Sequence, residues 1–395
     1  MTPRRHRRRR PSGLAVLGLA GTGLLAGLAA PATAVVQPDL ETLRARYARL
    51  VEGIRDGGGL YEQDRPVVRS VLRDVDAFLE ESPANAAARA MELQLALWLD
   101  EDADRIDAAY TALEELRPDD PDLALAALRW RAGAGRIDGE ALSAAWAALA
   151  DRFPEQSAVV LEHVRRLKDQ VRYDAMIDVL EGMDLEAADE PELLVLLAEA
   201  RFAQHEFDAA LEALDAVGTL GARQFRLRTR ADELRGWIEE TRELWAEEQE
   251  LRAAEASADD LPRVAIETAR GTIVVELFED SAPNTVANFV TLARSGFYAG
   301  TSFHRFIPDF MVQGGDINSK EGVEGTPGTG NPGYRIPDEH GEGFDARAHF
   351  RDSLAMANTG APDSGGSQVY FTHKPTPWLN DRHTVFGHGV GLWVK

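Results

Sequence analysis

The chain has 395 residues, which exceeds one ordinary domain and predicts two or three. Hydrophobic residues make up 44% and charged residues 28%, a balance that excludes a disordered chain and a multi-span membrane protein. The formal charge of −23 argues against nucleic acid as a partner, because phosphate binding needs a basic surface, and the lack of cysteine in the sequence excludes disulfides and thiolate chemistry.

Residues 1–34 have the three parts of a secretory signal peptide. Six arginines precede residue 11, an apolar stretch follows, and Ala32-Thr33-Ala34 has the small-x-small pattern of a cleavage site. We therefore expect an exported protein, periplasmic or secreted, with no membrane span after cleavage. The alternative is an uncleaved membrane anchor, because the apolar stretch is close to the ~20 residues that span a bilayer. The arginines leave both general and twin-arginine export open.

Residues 35–220 predict a domain of helical repeats. Strong helix formers dominate the segment, and apolar residues recur at three- and four-residue spacing. Tyr173-Asp174 and Phe207-Asp208 lie 34 residues apart, and we expect each pair to open a helix with the aspartate as its N-cap. The period resembles that of the tetratricopeptide repeat, and it predicts an α-solenoid of helical hairpins.

Such solenoids expose a concave groove that usually binds a partner, so a protein client or partner is one interpretation of the repeats. A structural or dimerising helical domain is the other. Residues 35–262 include 51 acidic and 26 basic side chains. This charge favours basic or unfolded clients, but it also serves solubility.

The segment 221–262 predicts a long charged helix followed by a linker. Leu234, Trp237, Ile238 and Trp245 lie on one stripe of this helix, and the linker composition begins at about residue 257. We interpret the helix as a cap or spacer between the repeats and the last third of the chain.

From residue 263 the composition changes to Gly, Phe, Thr and Val. Residues 264–268 and 272–278 alternate as two strands joined by a turn, and Pro283 opens an amphipathic helix that ends near Gly296. Residues 303–316 then have the sequence FHRFIPDFMVQGGD, and the strings SLAMAN, GSQ, WL and HTVFG follow in that order.

This series of motifs resembles the cyclophilin family of peptidyl-prolyl isomerases over roughly 120 residues. The resemblance implies that residues 263–395 form a closed antiparallel barrel of eight strands, with a helix at each end. It also implies catalysis of X-Pro isomerisation in proline-containing or unfolded polypeptides, with no cofactor and no metal.

The chemistry explains why such residues are needed. Rotation about an X-Pro bond must break amide resonance, and the twisted nitrogen can then accept a hydrogen bond from a fixed guanidinium. By resemblance this group is Arg305, and Gln313 orients it or the substrate carbonyl. The resemblance implies substrate-binding roles for Phe310, Met311, Ala357, Asn358, Gln368, Tyr370, Trp378, Leu379 and His383.

The chain departs from the family pattern in three ways. Tyr370 occupies a position where the family usually has phenylalanine, which adds a hydroxyl at the base of the pocket. The loop at 318–329 is longer than the minimal pattern, and we expect it on the surface. The family continues past Gly387 with a helix and a last strand, so we expect an incomplete barrel here, from a truncated gene product or as a genuine feature.

Two functions follow as hypotheses. The first is an exported peptidyl-prolyl cis-trans isomerase with a helical-repeat arm for client or partner binding. The second is a non-catalytic periplasmic chaperone or scaffold in which the incomplete barrel only binds peptide.

Overall fold

A computed structural model describes residues 39–56, 59–218, 220–221 and 224–390. The predicted signal peptide lies outside the described residues. The chain divides into two compact units, the first ending at Glu101 and the second beginning at Asp102. Across the described ranges, no helix is both long enough and apolar enough to cross a membrane.

Within residues 39–56 and 59–101, the first unit contains the α-helices α1 (Leu40–Asp56), α2 (Arg65–Glu81) and α3 (Ala86–Leu99). Their apolar stripes meet in one core that includes Leu43, Val68, Val75 and Leu95. The Asn85 side chain caps α3 by accepting a hydrogen bond of 3.0 Å from the Ala88 amide, as expected for an N-cap residue.

In its described residues the second unit begins with eight α-helices, which together form what we call the helical layer, residues 103–258. They are α4 (Ala103–Leu116), α5 (Pro121–Gly133), α6 (Gly139–Arg152), α7 (Ser157–Asp169), α8 (Tyr173–Glu181), α9 (Pro191–Ala203), α10 (Phe207–Ala216) and α11 (Phe225–Ala258). Helices adjacent in the chain pack on each other, from α6 and α7 through α10 and α11. The helical character of this region is therefore confirmed, while its tetratricopeptide-like repeats stay a prediction.

The predicted aspartate N-caps are wrong. Helix α8 begins at Tyr173 and α10 begins at Phe207, so Asp174 and Asp208 lie inside the first turn. The two aromatic rings are buried in the core of the helical layer, which fixes the first residue of each helix. Both carboxylates still lie near the positive end of the helix dipole.

Helix α11 does not act as a free spacer, because it packs on both the helical core and the sheet region. Leu234 and Ile238 lie in the core formed by α7 to α10. Trp237 and Trp245 pack against the same core and also contact aromatic side chains from the sheet region of the same unit. The helical layer and the sheet therefore share a packed contact across the predicted boundary at residue 262.

The rest of the second unit is a curled antiparallel sheet with one helix. The strands are β1 (Arg263–Thr268), β2 (Gly271–Leu277), β3 (Arg305–Ile307), β4 (Met311–Gly314), β5 (Ser353–Met356), β6 (Val369–Thr372) and β7 (Val385–Gly389). Helix α12 (Pro283–Arg294) follows β2. The predicted turn at Arg270 and Gly271 and the helix that opens at Pro283 are both confirmed.

The seven described strands are arranged in the order β1-β2-β7-β5-β6-β4-β3, so β1 and β3 are the two edges. The family resemblance implies eight strands, and the described residues form a half-barrel that is open between these edges. Truncation of the gene product stays a prediction.

Alternation along the strands gives the sheet two apolar faces. One face packs on α12 and includes Val275, Leu354, Phe371 and Phe386. The other face holds a second cluster built around Met311, Ala355, Tyr370 and Val385. The predicted substrate-binding residues belong to this second face.

Two buried carboxylates organise the loops around the sheet. Glu339 accepts hydrogen bonds from the amides of Asn284 (2.9 Å) and Thr285 (2.8 Å), and so caps the N-terminus of α12. Asp316, fully buried, accepts hydrogen bonds from the Asn318 amide (2.8 Å) and the Gly330 amide (3.1 Å). The loop that Asp316 anchors is exposed at residues 321–329, which confirms its predicted surface position.

Candidate active site

The candidate catalytic arginine is the first member of a chain of side-chain hydrogen bonds. Arg305 on β3 pairs directly with Gln313 on β4, and the Arg305 Nη1 donates to Gln313 Oε1 at 3.2 Å. Gln313 Nε2 donates in turn to Gln368 Oε1 at 2.8 Å. Gln368 Nε2 donates to the Gly330 carbonyl at 2.9 Å.

The chemistry of its two ends fixes the direction of this chain. A guanidinium can only donate and a backbone carbonyl can only accept, so each glutamine must accept with its oxygen and donate with its nitrogen. The far end is rigid, because Asp316 accepts the Gly330 amide and a side chain at Gly330 would collide with the Asp316 carboxylate. The exposed Arg305 guanidinium is therefore held in one direction, with its other donors open to solvent.

An apolar cluster lies on the same face of the sheet, and we refer to it below as the candidate pocket. Phe310, Met311, Ala357, Tyr370 and Leu379 belong to one cluster, in which Met311 and Tyr370 are buried and the others half-buried. The Tyr370 position pairs with Gln313 across β4 and β6, so the base of the pocket adjoins the amide chain.

Trp378 forms the rim of this pocket next to Phe310. It lies in the short 3-10 turn Pro377–Leu379. Its ring centroid is 5.9 Å from that of Phe310. Both side chains are half-buried, so the two rings present apolar surface to a ligand.

The Tyr370 hydroxyl lies beneath the pocket, where it binds a buried histidine. It is 2.9 Å from His349 Nε2. His349 Nδ1 lies 3.1 Å from Asn380 Oδ1, an acceptor, so Nδ1 carries the proton and Nε2 accepts from the tyrosine. Burial lowers the pKa of His349 to about 3, which keeps the ring neutral. The hydroxyl thus anchors the tyrosine ring from behind.

His383 and Asn358 lie at the opposite side of the pocket. The His383 ring is perpendicular to that of Tyr370, with centroids 5.5 Å apart, and its Nδ1 is 3.1 Å from the Met356 carbonyl. Burial lowers the pKa of His383, so the neutral ring donates through Nδ1 and keeps Nε2 as an acceptor. The Asn358 side-chain nitrogen donates to the Arg382 carbonyl at 2.8 Å, which ties its loop to the same rim.

The structure therefore brings all eleven predicted site residues onto one face, as a polar chain beside an apolar pocket. Their roles stay predictions. The arrangement can donate a hydrogen bond and hold a small apolar ring, and the described ranges contain no cluster of three or more potential metal ligands among His, Asp and Glu. Sequence reasoning missed His349 and Asn380, which lie outside the motifs, and Asp309, whose importance depends on contacts distant in the chain.

Comparisons with known proteins concern the last third of the chain. Residues 263–391 match the family model described as "Cyclophilin type peptidyl-prolyl cis-trans isomerase/CLD". A peptidyl-prolyl cis-trans isomerase of Synechococcus elongatus is 46% identical over 127 residues, which is 32% of this chain and 79% of the relative. Peptidyl-prolyl cis-trans isomerase-like 1 of Homo sapiens is 45% identical over 140 residues, 33% of this chain and 76% of the relative.

Among solved structures, a cyclophilin type peptidyl-prolyl cis-trans isomerase of Cryptosporidium parvum, crystallised in the presence of the dipeptide Ala-Pro, is 31% identical. The alignment covers 33% of this chain and 80% of that chain, with a TM-score of 0.30.

Proposed function

This chain belongs to the cyclophilin-type peptidyl-prolyl cis-trans isomerases, and we propose that Arg305 and the apolar pocket beside it form its isomerase site. The observation that carries the proposal is the directed chain from Arg305 through Gln313 and Gln368 to a rigid loop. It places an oriented donor next to an apolar pocket, which is the pair of features that X-Pro rotation requires.

The reaction makes and breaks no covalent bond between heavy atoms. Its barrier of ~18–20 kcal/mol comes from lost amide resonance, and the twisted state differs from the planar states by a free lone pair on the proline nitrogen. A donor fixed at that nitrogen stabilises the twisted state more than either planar state, and only such differential binding lowers the barrier. In this proposal Arg305 supplies the donor and Gln313 fixes its direction.

The pocket holds the proline side of the bond while the other side turns. Phe310, Met311 and Leu379 supply apolar surface for the pyrrolidine ring, and Tyr370 closes the pocket from beneath. Substrates are therefore proline-containing segments of polypeptides. Ala357 and Asn358 follow directly after strand β5, and in this proposal they pair with the substrate backbone.

The test is the exchange rate of an X-Pro peptide with the wild-type chain and with Arg305→Ala. We expect kcat/KM to fall by about 10²–10³ in the variant, because one preorganised donor is lost. Arg335→Ala, in an exposed loop of the same region, is the matched control and should retain the wild-type rate. A wild-type kcat/KM in Arg305→Ala would contradict the catalytic role of Arg305. A wild-type chain that binds the peptide without accelerating its exchange would favour the chaperone or scaffold function instead.

We further propose that the protein is exported and that its predicted helical-repeat arm holds unfolded clients. The proposal is supported by the signal-like pattern of residues 1–34 and by the acidic composition of residues 35–262. Mass spectrometry of the protein recovered outside the cytoplasm should give a mature N-terminus at residue 35. Arg305→Ala should still suppress aggregation of an unfolded client, since holding a client needs no isomerisation. Recovery of the full-length chain in the cytoplasm would contradict export.

A further inference from the structure

The turn between β3 and β4 contains a strained residue immediately before the pocket. Asp309 has φ of 57°, a left-handed conformation that favours glycine and costs free energy for other residues. Phe310 and Met311 follow it directly, so the conformation of this turn sets where both pocket side chains lie. Such strain persists only where surrounding contacts hold it.

The contacts that hold the turn come partly from the helical layer. Asp309 Oδ1 accepts a hydrogen bond of 2.9 Å from the hydroxyl of Tyr173, the first residue of α8. Asp309 Oδ2 forms ion pairs with Lys168 of α7 at 3.1 Å and with Lys374, which follows β6, at 2.7 Å. Burial raises the pKa of Tyr173 well above its usual range, so the phenol remains a donor.

These helical groups are themselves fixed. Lys168 Nζ is also 2.6 Å from Glu199 Oε2 on α9, and Glu199 is paired with Arg230 on α11. Burial alone would raise the pKa of Glu199, but the hydrogen bond from Arg230 and the charge of Lys168 lower it to about 2. Three helices therefore contribute charged groups to one network that ends on the β3–β4 turn.

A second, independent contact reaches the other wall of the pocket. Trp237 on α11 lies with its ring centroid 4.5 Å from that of Trp378. Trp237 is next to Ile238, which is fully buried in the core of the helical layer, so its backbone is firmly placed. Trp378 in turn contacts Phe310.

We propose that the helical layer is a positioning element of the proline pocket, because Lys168 and Tyr173 hold the turn that carries Phe310 while Trp237 holds Trp378. The inference rests on the proposed isomerase site. Lys168, Tyr173 and Trp237 are positioning residues, since they act through the two pocket walls and not on the reacting bond. Substrate affinity of the isomerase thus depends on side chains from a part of the chain that lies outside the family match.

Full-length Trp237→Ala, Trp237→Phe and Tyr173→Phe test the proposal. Each is assayed for KM and kcat on an X-Pro peptide and for Kd of the same peptide by calorimetry. We expect Trp237→Ala to raise KM and Kd about 5- to 20-fold with kcat nearly unchanged, the pattern of lost ground-state binding. Trp237→Phe should restore most of the affinity, and Tyr173→Phe should raise KM and Kd to a smaller extent.

The matched control is Trp130→Ala, because Trp130 packs on Tyr110 within the helical layer, with ring centroids 5.6 Å apart. Thermal unfolding of all variants separates loss of affinity from loss of fold.

Wild-type KM and Kd in Trp237→Ala would overturn the proposal. Tighter binding in Trp237→Ala would also overturn it, because it would mean that the helix obstructs the pocket. The Kd comparison decides this inference even where the wild-type chain proves inactive, an outcome that refutes only the proposed catalysis. A wild-type chain that binds no peptide refutes both.

Discussion

The site face of the sheet and the contact between the sheet and the helical layer use arginine in opposite ways. Arg305 is exposed, and its side chain donates to one neutral amide at 3.2 Å. Arg347 is 4% exposed, and its guanidinium is bound to Glu248 at 2.7 Å and to Glu255 at 2.6 Å, both on α11. It also lies over the Phe278 ring, 3.9 Å from the centroid.

The difference shows which of the two arginines can act on a ligand. Every nitrogen of the Arg347 guanidinium donates to its two glutamates, and the side chain is buried, so the group is not available to a substrate. The Arg305 guanidinium is oriented by its hydrogen bond to Gln313, and it has further N–H groups that can donate to a ligand. Burial and full pairing therefore indicate a structural role, whereas exposure with partial pairing is compatible with catalysis.

The largest effect on stability is expected for Arg347→Ala. Removing one partner of a buried ion pair leaves Glu248 and Glu255 with less compensation, so the free energy of unfolding should fall by about 3–5 kcal/mol. Chemical denaturation followed by circular dichroism measures the change. Arg335→Ala, in an exposed loop, should change it by less than about 0.5 kcal/mol. Equal losses of stability in the two variants would contradict the structural role assigned to the buried arginine.

A smaller effect is expected from pH, through His349 beneath the pocket. Burial lowers the pKa of His349 from 6.5 to about 3 in the folded chain. Between these values the unfolded chain binds a proton that the folded chain does not, so stability falls as the pH falls from 6.5 towards 3. At pH 5 this difference in the pKa of His349 lowers the free energy of unfolding by about 2 kcal/mol.

Urea denaturation at pH 7 and pH 5 of the wild type and His349→Gln measures that contribution. The variant should lose less stability between the two pH values than the wild type does. An identical loss in both proteins would show that His349 becomes protonated in the folded state, and the exposed side chains would then dominate the acid response.

The smallest effect is expected for Tyr370→Phe. The substitution leaves the buried Nε2 of His349 without its donor, so stability should fall by about 1–2 kcal/mol. Because the hydroxyl points away from the pocket, kcat/KM should stay within about threefold of the wild type. Thermal unfolding and the exchange assay give the two values. A large drop in kcat/KM at unchanged stability would place the hydroxyl in contact with substrate.

The sequence predicts the sheet region better than the contacts between the regions. Alternation and the order of the motifs were sufficient for β1, β2 and α12, and residue types in the motifs indicated Arg305 and Gln313 as neighbours. The partners of Asp309 could not be found in the same way, since Tyr173 is 136 positions distant and its repeat-like spacing gives no sign of what its hydroxyl contacts. Local periodicity predicts which face of an element is buried but not what covers it.

Helix α11 shows the same limit. Its apolar residues pack on both the helical core and the sheet region, and they alternate with charged residues such as Glu248 that are buried through pairing. The sequence pattern therefore resembles a solvated spacer, whereas the helix is a packed element. The partner of the Tyr370 hydroxyl could not be predicted for a related reason, because His349 lies outside every motif.

The amide chain behind Arg305 has a consequence for how the enzyme responds to acidity. Neither Gln313 nor Gln368 titrates, and the loop that ends the chain is fixed by backbone amides bound to the fully buried Asp316. The guanidinium is thus held directly by a neutral amide, unlike in a site in which a carboxylate binds the arginine. The isomerisation rate should be constant across the pH range in which this loop keeps its fold. Its decline in acid would then follow the unfolding curve, with no separate ionisation of its own.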